Sequence, residues 1–281
     1  YPAKYMRELE VLRDLGFKDA VILDDIARIR SERYDSVAVR WSVDQFALDK
    51  TRYSLFVFRE AGRGSEIHIS GQAAASAAFR DLLQRYENLG LREAQREAES
   101  FEGAFRTARQ AAADYFLLLR FDESERSFTA TGDLYLSATG RLVASWQVFR
   151  TGNARVLAAL RALAGRLTGA LPLRGRLLTR RFDEGVADLG RLDGIAAGEE
   201  LAIVRGGSVR LAGAGMGLEV QETDILGTWK TAALDENVAE GSVRKRSFFD
   251  LINPGDELVR LAPAKAPASG PAAAAAEAAV Q

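Results

Sequence analysis

The sequence predicts an α+β protein: two helix-flanked antiparallel-sheet modules, related as a duplication, followed by a small all-β barrel or sandwich. Three observations predict it. The order helix–strand–strand–strand–helix occurs twice before residue 170. From residue 171 helical periodicity vanishes, and short strands alternate with Gly-rich turns. From Pro263 the composition collapses to Ala and Pro, which gives a core almost no large apolar side chains. The domains expected are therefore 1–90, 91–170 and 171–262, with a linker or disordered tail at 263–281.

The first module opens with a helix over 4–15, carrying Leu9, Leu12 and Leu15 at helical spacing. Residues 17–23 are short and apolar enough for a strand. Asp24 can cap a helix to Arg33 that turns Ile26 and Ile29 inward. SVAVRWSV (36–43) alternates Val37, Val39, Trp41 and Val43 against Ser36, Ala38, Arg40 and Ser42, the period of a half-buried strand. YSLFVF (53–58) and EIHI (66–69) are the next strands, with Gly62 and Gly64 between them. A helix near 72–88 places Phe79, Leu82, Leu83 and Tyr86 on one side.

The second module begins with a helix near 91–112. DYFLLLRF (114–121) is an unbroken apolar run suited to a central strand. SFTATGDLYL (127–136) follows, then the Thr139-Gly140 turn, then RLVASWQVF (141–149) with Leu142, Ala144, Trp146 and Val148 on one face. Val156, Leu160, Leu163 and Leu167 form the apolar stripe of a closing helix. Each inward strand residue contributes about 1.5–3 kcal/mol when fully buried. A three-stranded sheet covers neither of its own faces, so the flanking helices are expected to cover one.

The third domain repeats a phrase. Ile195 to Leu201 and Ile252 to Leu258 both read Ile-x-x-Gly-acid-Glu-Leu. Gly198 and Gly255 suit the third position of a type II turn, which requires positive φ, and Pro254 is the favoured residue before it. Ile195 and Ile252 can tuck under the turn while Leu201 and Leu258 point inward. Glu199 and Asp256 are expected in water at the head of each strand. General acid–base chemistry needs carboxylates in a cleft with separated pKa values, and strand neighbours point to opposite faces. The phrase is read as two structural turns.

The 281 residues carry a formal charge of −1, with 47% hydrophobic and 27% charged residues. That is ordinary for a soluble globular chain and argues against nucleic-acid binding as its main work. No apolar run approaches the roughly 20 residues of a membrane-spanning helix. No charged-then-apolar leader is present. The chain begins at Tyr1 rather than Met, which leaves a leader or anchor ahead of it open. With no cysteine there are no disulfides, thiolate metal sites or cysteine nucleophiles.

Other chemical candidates weaken on inspection. His68 is the only histidine and faces away from the side of Ile67 and Ile69, so it reads as a surface residue without zinc or triad partners. Ser242 and Lys245 match a Ser-x-x-Lys spacing, but the companion motifs of penicillin-recognising enzymes are missing. AGAGMG (212–217) lacks the strand-to-helix setting of a phosphate cradle and reads as a hairpin tip. Arg174, Arg176, Arg180 and Arg181 concentrate positive charge at the head of the third domain. They form a candidate contact for an anionic partner, or pair with Asp183, Glu184 and Asp188 on a solvated face. No metal or other cofactor is expected.

Two stretches carry a family resemblance. LPLRGRLLTRRFDEGVADLGRLDGIAAGEELAIVR (171–205) resembles the start of the carboxy-terminal domain of the flagellar H-ring protein FlgT and related envelope proteins. There a strand follows a helix through a Leu-Pro and Gly-containing step. AADYFLLLRF and FTATGDLYLSATGRLVAS, within 112–145, are similar to the strand and Thr-Gly hairpin of TolB amino-terminal and CsgG-like envelope domains. The resemblance covers most of 90–262, and residues 1–90 have no obvious counterpart in it. It implies a non-catalytic structural or adaptor protein of the bacterial envelope, periplasmic or associated with the outer membrane. Such a protein acts through protein partners or in a homo-oligomeric ring, in a flagellar or outer-membrane assembly, with peripheral membrane association compatible. The alternative is a ligand-binding or regulatory periplasmic module, marked by a pocket between the α/β units. A hydrolase using Ser242, Lys245 or His68 ranks last.

Overall fold

In the computed structural model, residues 36–45, 47–60, 67–68, 70–93, 100–213 and 215–260 are described. The two helices and the strand expected before residue 35, the turn at Gly62 and Gly64, and the tail from 263 lie outside them. In chain order the first elements are α1 (Val37–Arg40), β1 (Tyr53–Arg59), α2 (Gly71–Leu83), β2 (Leu89–Arg92) and α3 (Phe101–Gln110). Then come β3 (Tyr115–Glu123), β4 (Ser127–Leu136), β5 (Leu142–Thr151) and α4 (Arg155–Ala170). β1 to β5 form one sheet in the order β2-β1-β3-β4-β5.

β3 lies centrally because its side chains are apolar on both faces. Tyr115, Leu117, Leu119 and Phe121 meet Phe79 and Leu83 of α2 and Leu160, Leu163 and Leu167 of α4. Phe116 and Leu118 look the other way, with Phe56 and Phe58 of β1, towards Ala104 and Ala108 of α3. Gly132 of β4 lets α4 sit close: a Cβ there would stand 3.3 Å from Leu163 Cδ1. Ser100 caps α3, its Oγ accepting from Gly103 N at 3.3 Å. Asp114 ties β1 to β3, accepting from Ser54 N at 2.8 Å while its own N–H donates to Ser54 Oγ at 2.9 Å.

The α+β class and a terminal barrel are present, and several expected details are corrected. Strands from 53–59 and 89–92 join those of 115–151 in a single sheet, and β1 runs parallel to both β2 and β3. The crossover through α2 makes the parallel pairing feasible. Residues 36–43 are not a strand. Val37, Ala38 and Trp41, at i, i+1 and i+4, form the buried side of a helical turn against Val186 and Val238. Residues 67–68 are a bend that leads into α2, Gly71 N donating to His68 O at 2.8 Å. A bulge at Leu134/Tyr135 shifts the expected face of β5. Val143, Ala144, Trp146 and Val148 pack inward, while Leu142 lies opposite Tyr135 and is exposed.

The third domain closes on itself. β6 (Arg174–Arg181), β7 (Glu184–Ala187) and β8 (Glu200–Val204) precede the short hairpin of β9 (Arg210–Leu211) and β10 (Leu218–Glu219). β11 (Ile225–Leu234), β12 (Ala239–Lys245) and β13 (Glu257–Val259) complete it. The barrel order is β11-β12-β7-β6-β13-β8, with β8 returning to β11. Closure gives each of the six barrel strands a neighbour on both sides. Trp229 fills the interior with Leu177, Leu201, Ile203, Val243 and Leu258, and its Nε1 donates to Gly185 O at 3.3 Å. Gly241 gives the indole room, since a Cβ there would stand 2.6 Å from Trp229 Cε2.

Sheet and barrel are joined by buried charge. Arg52, just ahead of β1, pairs with Asp188, just past β7, and both side chains are almost wholly buried. Asp188 also accepts from Arg176 N at 2.6 Å. Lys50 Nζ reaches Asp193 at 2.7 Å, and Tyr53 Oη donates to Pro172 O at 2.9 Å.

Candidate contact surfaces

The repeated phrase makes the same turn twice. Glu199 N donates to Ala196 O at 3.2 Å around Gly198 (φ +80°), and Asp256 N to Asn253 O at 3.1 Å around Gly255 (φ +94°). Pro254 stands before Gly255. In each turn the acid reaches back three residues. Glu199 Oε2 accepts from Ala196 N at 3.1 Å, and Asp256 Oδ2 from Asn253 N at 2.7 Å. The acids are not bystanders in water. Asp256 is only 7% exposed and also accepts from Gly206 N at 3.1 Å, and Glu199 is paired with Arg260. A turn whose acid caps nearby N–H groups draws that acid inward.

The four arginines are placed differently from one another. Arg174 makes two bonds to Glu257, at 2.8 and 3.0 Å. Arg176 is exposed. Arg180 makes two bonds to Asp250, at 2.7 and 2.8 Å, which hold the Asp250 carboxyl below the ordinary aspartate range. Arg181 stacks over Trp41 at 4.6 Å. A bulge between Leu177 and Thr179 breaks the alternation that would have put Arg174, Arg176 and Arg180 on one face. The acids facing Arg174 and Arg180 are Glu257 and Asp250, and Asp188 is occupied by Arg52.

The remaining chemical candidates fall into structural places. His68 is exposed, with Nδ1 3.0 Å from Glu123. Ser242 and Lys245 are three apart on β12, an odd spacing that turns their side chains to opposite faces. Lys245 Nζ donates to Phe248 O at 3.2 Å. Residues 212 and 217 close a hairpin, Ala212 N donating to Gly217 O at 3.0 Å. Among the described residues, no group of three or more His, Asp or Glu side chains could hold a metal ion.

Three features present surface to a partner. The first is a cleft of about 610 Å³ where the sheet meets the barrel. Its walls include Lys50, Arg52, Arg174 and Arg260, paired with Asp193, Asp188, Glu257 and Glu199 respectively. The second is the sheet face that carries α3. The ten residues of α3 cover the Phe56, Phe58 and Phe116 side, where Ala104 and Ala108 allow close approach. The β4–β5 side of that face bears Leu142 (48% exposed) beside Tyr135 and Phe149 (58% exposed) beside Thr129. Phe101 continues it, its ring 5.0 Å from that of Tyr135. Between the apolar ends stand Arg120, Asp133 and Ser145, linked by bonds of 2.8 and 2.5 Å. The edge itself is blunted. Arg166 Nη1 donates to Gln147 O and Arg150 Nη1 to Phe149 O, at 2.9 and 2.8 Å. The third feature is one end of the barrel, where Phe182, Phe248, Phe249 and Leu251 are exposed. The sequence reading missed the last two surfaces. For the barrel end a signal existed: adjacent phenylalanines after a run of three cations, Arg244 to Arg246.

A family model described as TPASS_0648, second domain, matches residues 52–169. That span runs from the residue before β1 to the next-to-last residue of α4, so it coincides with the five-stranded sheet and its helices. No curated protein matches the chain. Among solved structures, the LpoB C-terminal domain from Salmonella enterica is 14% identical and covers 36% of this chain and 84% of its own, with a TM-score of 0.30. A PelC dodecamer from Paraburkholderia phytofirmans is 17% identical, covering 43% and 88%, at 0.32. Lipoprotein GNA1162 from Neisseria meningitidis is 13% identical, covering 42% and 96%, at 0.32. At these TM-scores the likenesses are partial and decide nothing about function.

Proposed function

We propose that the chain is a non-catalytic adaptor of the bacterial cell envelope, working through protein–protein contact at the β4–β5 half of the sheet face that carries α3. The observation that carries this reading is the face itself: Phe101, Tyr135, Leu142 and Phe149 flank a charged centre on the side of β4 and β5 opposite α4, where no helix among the described residues lies over these two strands. Exposed aromatic and large aliphatic side chains are the anchors that a protein interface buries, and the charges between them are already paired with one another. The ionisable groups of the barrel point the same way, because Asp256, Glu257 and Asp188 are spent on backbone N–H groups and arginines. The envelope setting, periplasmic or beside an outer-membrane or flagellar assembly, rests on the resemblance of 112–145 and 171–205 to envelope domains.

A photo-crosslinking amino acid at exposed Gln147, in intact envelopes, tests the reading. Discrete adducts are expected, either to a second copy or to another envelope protein. Leu142→Asp with Phe149→Asp should reduce them about tenfold, as the loss of two apolar anchors predicts. An adduct pattern unchanged by both substitutions, in protein that keeps its melting temperature, overturns it.

A further inference from the structure

Four large apolar side chains stand in solvent at one end of the barrel. Phe182 is 94% exposed, Phe248 88%, Phe249 72% and Leu251 50%. Phe182 is the most unexpected. It occupies φ +54°, a left-handed conformation in which bulky residues are outliers. A glycine or asparagine would take that turn position more easily. Folding therefore does not explain a phenylalanine there, because its side chain packs on almost nothing.

The two turns that carry these tips are built as one rigid unit. The Arg180 guanidinium touches both: Nε donates to Phe182 O at 2.7 Å, while Nη1 and Nη2 hold Asp250 and Nη1 reaches Ile252 O at 3.2 Å. Val243 N donates to Asp183 O at 2.7 Å. Ser247 Oγ donates to Phe249 O at 2.6 Å, and the Phe248 and Phe249 rings meet edge-on at 5.3 Å. The charge order is the same in both turns. Arg180 and Arg181 precede Phe182, and Arg244, Lys245 and Arg246 precede Phe248 and Phe249. Arg181 (its guanidinium over Trp41), Arg244 and Lys245 (its Nζ donating to Phe248 O) are exposed at the strand ends, and Asp183 and Glu184 are exposed in the same turn as Phe182. Two of the acids in the neighbourhood are already neutralised, Asp250 by Arg180 and Glu222 by Arg246. Asp183 and Glu184 follow Phe182.

From this geometry we infer that the barrel end docks on an anionic phospholipid bilayer, with Phe182, Phe248, Phe249 and Leu251 entering the acyl boundary and Arg181, Arg244 and Lys245 at phosphate level. Apolar tips ahead of cations is the order that a lipid interface presents along its normal. Convex, nearly contact-free rings need no preformed pocket in such a medium. The inference stands apart from the sheet face, which lies on the other domain.

The test is co-sedimentation of the whole chain with phosphatidylglycerol/phosphatidylethanolamine vesicles and, separately, with pure phosphatidylcholine vesicles. Binding to the anionic vesicles is expected to weaken as salt rises. Phe248→Ser with Phe249→Ser should lower it about tenfold or more, from the apolar area lost. Phe182→Gly relieves the backbone at that turn, so it should match or exceed the wild-type melting temperature and still bind less well. A merely structural phenylalanine would not give that split. Leu142→Asp with Phe149→Asp should leave vesicle binding unchanged, which keeps this result separate from the crosslinking result. No sedimentation with anionic vesicles, equal binding to both compositions, or full binding by the Phe248/Phe249 variant overturns the inference. So does capture of a soluble protein by this patch without vesicle binding.

Discussion

Asp256 and Glu199 do the same work at different depths. Each takes the N–H three residues before it and so closes a turn around a glycine with positive φ. Asp256 is buried and also takes Gly206 N, whereas Glu199 is only partly shielded and shares Arg260 with solvent. Removing a buried acceptor strands its donors. Asp256→Ala should cost about 2–3 kcal/mol, and Glu199→Ala less than about 1 kcal/mol, by urea unfolding of each variant. Equal losses would contradict this assignment. The turns are legible in the sequence because their requirements are local: glycine third, isoleucine beneath, leucine of the right parity beyond. The burial of Asp256 is not legible, because Gly206 lies 50 residues away in sequence. Arg180 is similar: its partner Asp250 is 70 residues away, while the sequence offered nearer acids.

At the scale of elements, β3, β4 and α4 are readable because each carries an unbroken run or a clean period. Segment 36–43 is misread for a physical reason. Val37, Trp41 and Val43 favour strands and alternate, yet Val37, Ala38 and Trp41 also share one side of a helical turn, and contact with Val186 and Val238 decides between the two. Pairing direction is likewise hidden, since nothing local in YSLFVF states that β1 lies parallel to β3. The segment after β12 yields a pH prediction. Hydrogen bonds from Arg180, with help from Ile252 N, hold the Asp250 carboxyl below its ordinary value. A carboxyl whose folded value lies below its unfolded one adds stability above the unfolded value and gives it up as pH falls through the folded one. Acidification below about pH 4 should therefore free the 246–252 segment before the barrel unfolds. Narrowing and shifting of the Phe248 and Phe249 ring resonances would report it. Asp250→Asn should show the freed spectrum at neutral pH and lose the transition. A transition that survives in that variant belongs to another group.

At the scale of the molecule, the relation between sheet and barrel hangs on Arg52 and Asp188. Both side chains are nearly excluded from water, so each depends on the other. Burial pushes the Asp188 carboxyl above its ordinary value, against the opposing pull of Arg52 and the Arg176 N–H. Arg52→Met removes the pull and leaves the burial. The variant should lose about 3–5 kcal/mol at neutral pH, the cost of an unpaired buried charge. The sign of its pH dependence separates this cause from simple loss of packing. A carboxyl with a raised folded value favours the folded state while protonated, and that stabilisation is lost as pH rises through the folded value. The deficit of Arg52→Met relative to wild type should thus shrink on acidification, as Asp188 takes a proton. Adding Asp188→Asn should recover part of the loss at neutral pH, since an amide oxygen can still accept from Arg176 N and carries no charge. Melting curves for the three proteins at several pH values decide it. A deficit constant across pH would mean that Arg52 acts through its aliphatic stem, and that the sheet and barrel are held in register by packing at Tyr53, Pro172 and Leu173 instead.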